Sequence, residues 1–163
     1  MVRRHIIMKP STLVLGMGND ILMDDSIGPR LVRDLAPLFA NPGVQFDISC
    51  CGGLEIMEAI KGFNKVLFID GIRTKNGKPG DIYYFKPSDF RETLHLSNLH
   101  DVGFLTALGL GKSLNLSLPS DLHIIAIEII EDTEFGEDLT PELQEKYPKI
   151  KEEIAVLIKQ ILG

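Results

Sequence analysis

The stretch LVLGMGNDILMDDSIG, residues 13–28, decides how the rest of the chain is organised. It opens on a strand pattern at residues 12–15, turns at Gly16 and Gly18, and ends in the acid pair Asp24 and Asp25. In an open parallel sheet, ligands gather beyond the carboxyl ends of the strands, and glycine permits a tight turn there. The stretch therefore predicts the first strand of an α/β sheet, followed by a loop whose carboxylates form one wall of a site.

Composition and charge limit the classes of protein that fit. The 163 residues are 44% hydrophobic and 25% charged, as in ordinary soluble domains, and we expect one domain over residues 1–163 with residues 1–10 as an N-terminal tail. No apolar run reaches the ~18 residues of a spanning helix, which predicts no membrane insertion. The net charge of −6 argues against nucleic-acid binding. Neighbouring Cys50 and Cys51 are poorly placed to form a disulfide, so a cytoplasmic location is favoured.

Hydrophobic periodicity predicts the element order β-α-β-α-β-β-α-β-α. The predicted strands cover residues 12–15, 44–49, 65–70, 81–85 and 122–130. The predicted helices cover residues 29–39, 54–63, 101–111 and 141–162, with a short helical turn at 88–94. Asp24, Asp25 and Ser26 are expected to open the first helix as acidic or capping residues, and Thr140 is expected to cap the last. The predicted fold is a three-layer αβα domain with a mixed, mostly parallel five-stranded sheet.

Three polar residues fall at comparable places in this order, each close to the end of a strand or the start of a helix. Asp25 follows the first strand, Asp70 ends the third, and His100 precedes a helix. Parallel strands of a right-handed crossover fold end at one edge, so Asp25 and Asp70 are expected to approach each other. Two carboxylates and one imidazole suit a divalent ion such as nickel or zinc. Helix capping and an ordinary hydrogen-bonded histidine explain the same pattern, and the spacing leaves both interpretations open.

Other chemistries fit the sequence less well. A dinucleotide fingerprint would need a glycine where Ile21 stands. A phosphorelay receiver would use Asp70 as phosphoacceptor, but Glu128 stands in the region where a lysine is wanted. Serine hydrolysis has little support because no G-x-S-x-G motif occurs. For the two cysteines, one thiol in the core and one at a turn is a better interpretation than catalysis.

Several segments together resemble the hydrogenase maturation endopeptidases, which trim the C-terminal extension from the large-subunit precursor of nickel-iron hydrogenases. The most specific segment is LVLGMGNDILMDDSIGPRLV at residues 13–32. The others are VLFIDGI at 66–72, His100 with Gly103 three residues on, and FGEDLTPEL at 135–143. The resemblance covers most of the chain, and it implies the same fold and the same activity.

The resemblance also implies the site and its partners. It assigns Asp25, Asp70 and His100 as catalytic and metal-contacting residues, and the hydrogenase large-subunit precursor as the substrate. Nickel would be supplied by that precursor, with zinc or cadmium as substitutes in vitro. Nickel as Lewis acid, nickel as recognition element and direct aspartyl-type catalysis by Asp70 all stay open. The other class of function is a non-enzymatic, metal-sensing chaperone of the precursor, and a monomer is the favoured oligomeric state.

Overall fold

The computed structural model describes residues 10–50, 54–87 and 111–163. The strands are β1 Thr12–Met17, β2 Val44–Ser49, β3 Lys65–Ile72, β4 Ile82–Phe85 and β5 Asp121–Glu128. The helices are α1 Ile27–Leu35, α2 Leu54–Ile60 and α3 Pro141–Leu162, with 3-10 helices at Met23–Ser26 and Ala36–Phe39. None of the helices within the described ranges combines the length and the apolar character needed to cross a bilayer.

The strands form one sheet in the order β2-β1-β3-β5-β4. The first four strands in this order pair in parallel, and β4 pairs antiparallel with β5 at the edge. Gly16 of β1 is in register with Ile48 of β2 and Ile69 of β3, so these three strands end at the same edge of the sheet. The predicted mixed, mostly parallel five-stranded sheet and α/β fold are confirmed.

Apolar residues cover both faces of the sheet because successive side chains of a strand point to opposite faces. On one face, Val14, Leu67 and Ile125 pack with the apolar sides of α1 and α3. On the other face, Leu15, Val66 and Phe68 pack with α2. Each fully buried aliphatic side chain contributes roughly 1.5–3 kcal/mol, so this packing holds the layers together and fixes where the loops emerge.

The predicted N-cap residues Ser26 and Thr140 lie at the N-cap positions, but neither side chain makes a capping hydrogen bond. Helix α1 is preceded by a 3-10 helix that contains Asp24, Asp25 and Ser26, and Ser26 makes no capping hydrogen bond. The Ser26 hydroxyl donates instead to the carbonyl oxygen of Met23, at 2.6 Å. Thr140 occupies the N-cap position of α3 without a capping bond, because its hydroxyl donates to Asp24. The predicted helix over 29–39 is in fact α1 followed by the second 3-10 helix.

Some predictions fall outside the described residues. These are His100, the helical turn at 88–94, and all but the last residue of the helix at 101–111. Cys51 and most of the tail at 1–10 also lie outside. The single-domain organisation stays a prediction.

Candidate active site

Close backbone packing brings the start of α1 onto the carboxyl ends of β1 and β3. A Cβ added at Gly28 would lie 2.4 Å from the carbonyl oxygens of both Ile69 and Met17. A Cβ added at Gly16 would lie 2.7 Å from the carbonyl oxygen of Gly28. Only glycine at these two positions lets helix and strands approach this closely. The acid pair, just before α1, is thereby placed beside the end of β3, which carries Asp70.

A sharp turn after β1 orients Asp25. Gly18 has φ +139°, a conformation that residues with a Cβ rarely adopt, and its amide donates to the carbonyl of Ser49 at 3.1 Å. A Cβ at Gly18 would lie only 1.9 Å from the carbonyl oxygen of Asp25. The amide of Asn19 donates to Oδ2 of Asp25 at 2.8 Å. The loop therefore folds back on itself, and its Asn19 amide holds the Asp25 carboxylate in place.

Asp24, the neighbour of Asp25, is a structural residue. Its side chain is fully buried, and Oδ1 accepts a hydrogen bond from the amide of Thr140 at 2.7 Å. Oδ2 accepts from the amides of Ile130 and Glu131, both at 3.1 Å, and from the Thr140 hydroxyl at 2.9 Å. These four hydrogen bonds satisfy the buried carboxylate within the protein. Asp24 thus ties the loop after β1 to the loop after β5.

Asp25 and Asp70 line one cavity of about 80 Å³ at the carboxyl edge of the sheet. We call this cavity the carboxylate cleft; its other lining residues are Met17, Gly18, Asn19, Leu22, Ser49 and Cys50. Asp25 is 7% exposed, whereas Asp70 is half-buried and accepts a hydrogen bond from the amide of Gly71 at 2.8 Å. Main-chain amides therefore position both carboxylates, and the cavity is large enough for an ion or a few water molecules.

The structure thus brings together two of the three predicted site residues, Asp25 and Asp70, and His100 lies outside the described ranges. Within residues 10–50, 54–87 and 111–163, no group of three or more His, Cys, Asp or Glu is arranged to hold a metal ion. The role of Asp25, Asp70 and His100 as ligands stays a prediction. Ionised carboxylates in such a cleft can bind a cation or accept a proton from water.

Ser49 and Cys50 line the cleft, although the sequence analysis does not place them at the site. Ser49 ends β2, and Cys50 follows it and is exposed. The sheet topology could have predicted their place. Strand β2 is the parallel neighbour of β1, so the carboxyl ends of both strands lie at the same edge. At least this one of the two cysteines therefore lies at a turn beside the site and not in the core.

Glu128 at the end of β5 has a structural role. It is 3% exposed and accepts hydrogen bonds from the amide and hydroxyl of Thr74, at 2.7 and 2.9 Å, and from the Tyr83 hydroxyl at 3.2 Å. Burial, together with the nearby Glu128 charge, raises the pKa of Tyr83. Glu128 therefore joins the loop after β3 to β4 and β5. A buried glutamate here does not fit a phosphorelay receiver, in which this region supplies a lysine.

The fold is shared with solved structures of maturation endopeptidases. The hydrogenase maturating endopeptidase HybD from Escherichia coli superposes with a TM-score of 0.74 at 21% identity, covering 91% of this chain and 92% of that one. The nickel-iron hydrogenase maturation protease HycI from Thermococcus kodakarensis superposes with a TM-score of 0.70 at 22% identity, covering 93% and 94%. At 21% and 22% sequence identity, this structural similarity shows that the chain has the same fold as these proteins.

Sequence comparison carries the identification further. The hydrogenase expression/formation protein HupD of Thiocapsa roseopersicina is 25% identical over 140 residues, which cover 84% of this chain and 62% of HupD. The chain therefore spans less than two thirds of that relative. The family model described as HycI, hydrogenase maturation protease, matches residues 29–157, a range that includes Asp70 and begins just after Asp25. The chain belongs to the hydrogenase maturation protease family, a family of peptide hydrolases.

Proposed function

We propose that the protein is an endopeptidase that acts in the cytoplasm and removes the C-terminal extension of a nickel-iron hydrogenase large-subunit precursor after nickel insertion. Membership of the maturation protease family supports the reaction class. The observation that carries the proposal is the convergence of Asp25 and Asp70 in the carboxylate cleft, although they come from different loops and strands. The cleft opens at the edge of the sheet where α/β enzymes bind their ligands.

Nickel belongs to the substrate in this proposal. Asp25, Asp70 and His100 offer oxygen and nitrogen donors without a thiolate, a set that holds a soft-leaning ion only loosely. Such a set is better suited to contacting nickel that cysteine thiolates of the precursor already hold. The ion would then signal that the precursor is ready for cleavage, and zinc or cadmium would substitute in vitro.

The two carboxylates would have different tasks in hydrolysis. Asp70 is the more exposed of the pair, so it is the better placed to accept a proton from an attacking water molecule. Asp25 is almost fully buried and is fixed by the Asn19 amide, which suits a residue that orients the ion or the water. The nickel ion would polarise the scissile carbonyl as a Lewis acid, or act only in recognition, with Asp70 then supplying the catalysis.

The test is the cleavage of nickel-loaded precursor by two variants, Asp70→Asn and His100→Ala. We expect both variants to keep the fold and to lose cleavage by about a hundredfold or more, because a general acid or base contributes at least this much. Asp47→Asn is the matched control, since Asp47 is an exposed acid of β2 that does not line the cleft. Products are weighed by mass spectrometry, and folding is checked by circular dichroism.

Two outcomes would change the assignment. A normal cleavage rate for either folded variant would show that the assigned residues do not carry the reaction. Wild-type protein that binds the precursor but releases no C-terminal peptide would be a metal-sensing chaperone.

A further inference from the structure

The loop after β5, residues 130–138, presents an aromatic side chain to solvent. Phe135 is 82% exposed, more than any other large apolar side chain in the described part of the chain. Ile130 in the same loop is 37% exposed, and Ile21 in the loop after β1 is 49% exposed. Exposing a phenylalanine this fully gives up the stability that its burial would provide. A single exposed apolar residue is ordinary, but several on adjoining loops make a candidate contact surface for a partner.

Hydrogen bonds fix this loop to the loop after β1. The amide of Gly136 donates to the carbonyl of Ile21, and the amide of Met23 donates to the carbonyl of Gly136, both at 2.9 Å. These bonds pair Leu22 with Gly136 in parallel. Ile21 and Phe135 are the residues just before that pair, so they hold neighbouring backbone positions in the two segments. Arg30 of α1 also donates to the carbonyl of Glu137 and holds the far end of the loop.

This paired edge borders the carboxylate cleft. Leu22 is a member of the pair with Gly136 and also lines the cleft. Asp24, two residues further on, accepts hydrogen bonds from Ile130 and Glu131 at the start of the loop. A protein that contacts Phe135 and Ile21 is therefore held next to Asp25.

The loop around Phe135 is strongly acidic. Residues 131–138 contain no Lys or Arg and five acids: Glu131, Asp132, Glu134, Glu137 and Asp138. The hydroxyl and amide of Thr133 and the amide of Glu134 lower the pKa of Glu131 to about 2, so that carboxylate stays ionised at any working pH. Of the five, Asp132 forms an ion pair with Arg73 at 2.9 Å. The loop is thus a negatively charged frame around an apolar centre.

We propose that Phe135 and Ile21 form the docking contact for the precursor, inserting into an apolar pocket that is rimmed by lysine and arginine on the precursor. This inference rests on the proposed function and names the surface that presents the substrate to the cleft. The exposed, protruding shape of Phe135 fits a protein pocket, whereas small molecules bind in concave sites. An anionic membrane surface would repel the acidic loop. An exposed aromatic anchor on a rigid loop, with charges around it, is typical of an interface hot spot.

The first test compares Phe135→Ala with wild type in cleavage of nickel-loaded precursor from the same organism. We expect KM to rise about thirtyfold with kcat within about twofold of wild type, because the side chain contributes to docking and not to chemistry. Leu38→Ala is the matched control, since Leu38 is 68% exposed but lies in the 3-10 helix Ala36–Phe39, in a cavity with Ser11 and Thr12 at the other end of the sheet. It should leave both constants unchanged.

The second test addresses the charge. Glu134→Lys should lower kcat/KM and weaken its dependence on ionic strength, since opposite charges across an interface speed encounter. Wild-type kcat/KM should fall as salt is raised. A wild-type rate that is independent of salt, together with an unchanged rate for Glu134→Lys, would remove the basic rim from the proposal.

Binding measured by calorimetry separates this inference from the proposed function. If wild-type protein cleaves and Phe135→Ala has an unchanged KM and Kd, the docking contact is wrong and the enzyme assignment stands. If wild-type protein binds without cleaving, the enzyme assignment falls and the Kd of Phe135→Ala alone decides the docking contact. Binding to phosphatidylserine vesicles that depends on Phe135, with an unchanged Kd for precursor, would assign the patch to a membrane and overturn the proposal.

Discussion

Two neighbouring carboxylates, Asp24 and Asp25, have different roles. Asp24 is fully buried, and its carboxylate accepts hydrogen bonds from other residues of the chain, whereas Asp25 lines the carboxylate cleft. The sequence presents them as an equivalent acid pair at the start of a helix. The distinction depends on Thr140, which is 116 residues away along the chain, so local spacing carries no information about it. The resemblance identified Asp25 as the site residue, but it assigned no separate task to Asp24.

Replacing Asp24 should destabilise the fold more than replacing an exposed acid. Asp24→Ala leaves two buried groups of Thr140 and the amides of Ile130 and Glu131 without their acceptor, so we expect a loss of about 3 kcal/mol in the free energy of unfolding. Urea unfolding followed by circular dichroism measures this loss. Asp47→Ala, at an exposed position of β2, should change the free energy by no more than about 0.5 kcal/mol. Equal losses in the two variants would contradict the structural role of Asp24.

At the scale of secondary-structure elements, the bounds of β2 and of the last helix were predicted correctly, whereas those of the first helix were not. Strand β2 has the predicted bounds because Pro42 and Gly43 set its start and its apolar residues alternate. The start of α1 differs from the prediction because tertiary contacts set it. Gly28 lies against the carbonyls of Met17 and Ile69, and this contact draws the first turn of α1 onto the sheet. Patterns of polar residues cannot reveal such a contact.

The close approach at Gly28 gives a prediction for α1. In Gly28→Ala the new methyl group meets two backbone carbonyl oxygens at 2.4 Å, so α1 must move away from the sheet. We expect a loss of about 2 kcal/mol in unfolding free energy, greater than the gain in helix propensity. The precursor cleavage rate should fall as well, because the same movement displaces Asp25 from Asp70.

Gly43→Ala is the control for this variant. A Cβ at Gly43 meets only the side-chain oxygen of Asn41, at 3.3 Å, so stability should be unchanged or slightly raised. Thermal unfolding of Gly28→Ala and Gly43→Ala compares the stability of the two variants. A Gly28→Ala protein as stable as Gly43→Ala would show that the close approach is not needed.

For the whole molecule, the sheet topology predicts where the site lies but not which loops surround it. A right-handed crossover fold places the ends of β1 and β3 at one edge, and this rule alone predicts that Asp25 and Asp70 approach each other. The pairing of Leu22 with Gly136 has no such rule behind it. It joins two loops that are distant in sequence and places an acidic segment beside the cleft. In the docking proposal, the acidic segment and the cleft therefore contact the same precursor.

The source of the metal ion gives a prediction about the protein and its substrate as a pair. The cleft supplies two carboxylates, and the part of the chain described by the structure contains no set of three metal-binding side chains. If nickel enters with the precursor, the protein alone should show no change in melting temperature when a chelator is added.

Nickel-free precursor should stay uncleaved, and loading it with nickel before mixing should restore release of the C-terminal peptide, measured by mass spectrometry. Zinc- or cadmium-loaded precursor should be cleaved as well if the ion serves only in recognition. Equal cleavage of nickel-free and nickel-loaded precursor would contradict any role for the ion, and catalysis would then rest on Asp70 and Asp25.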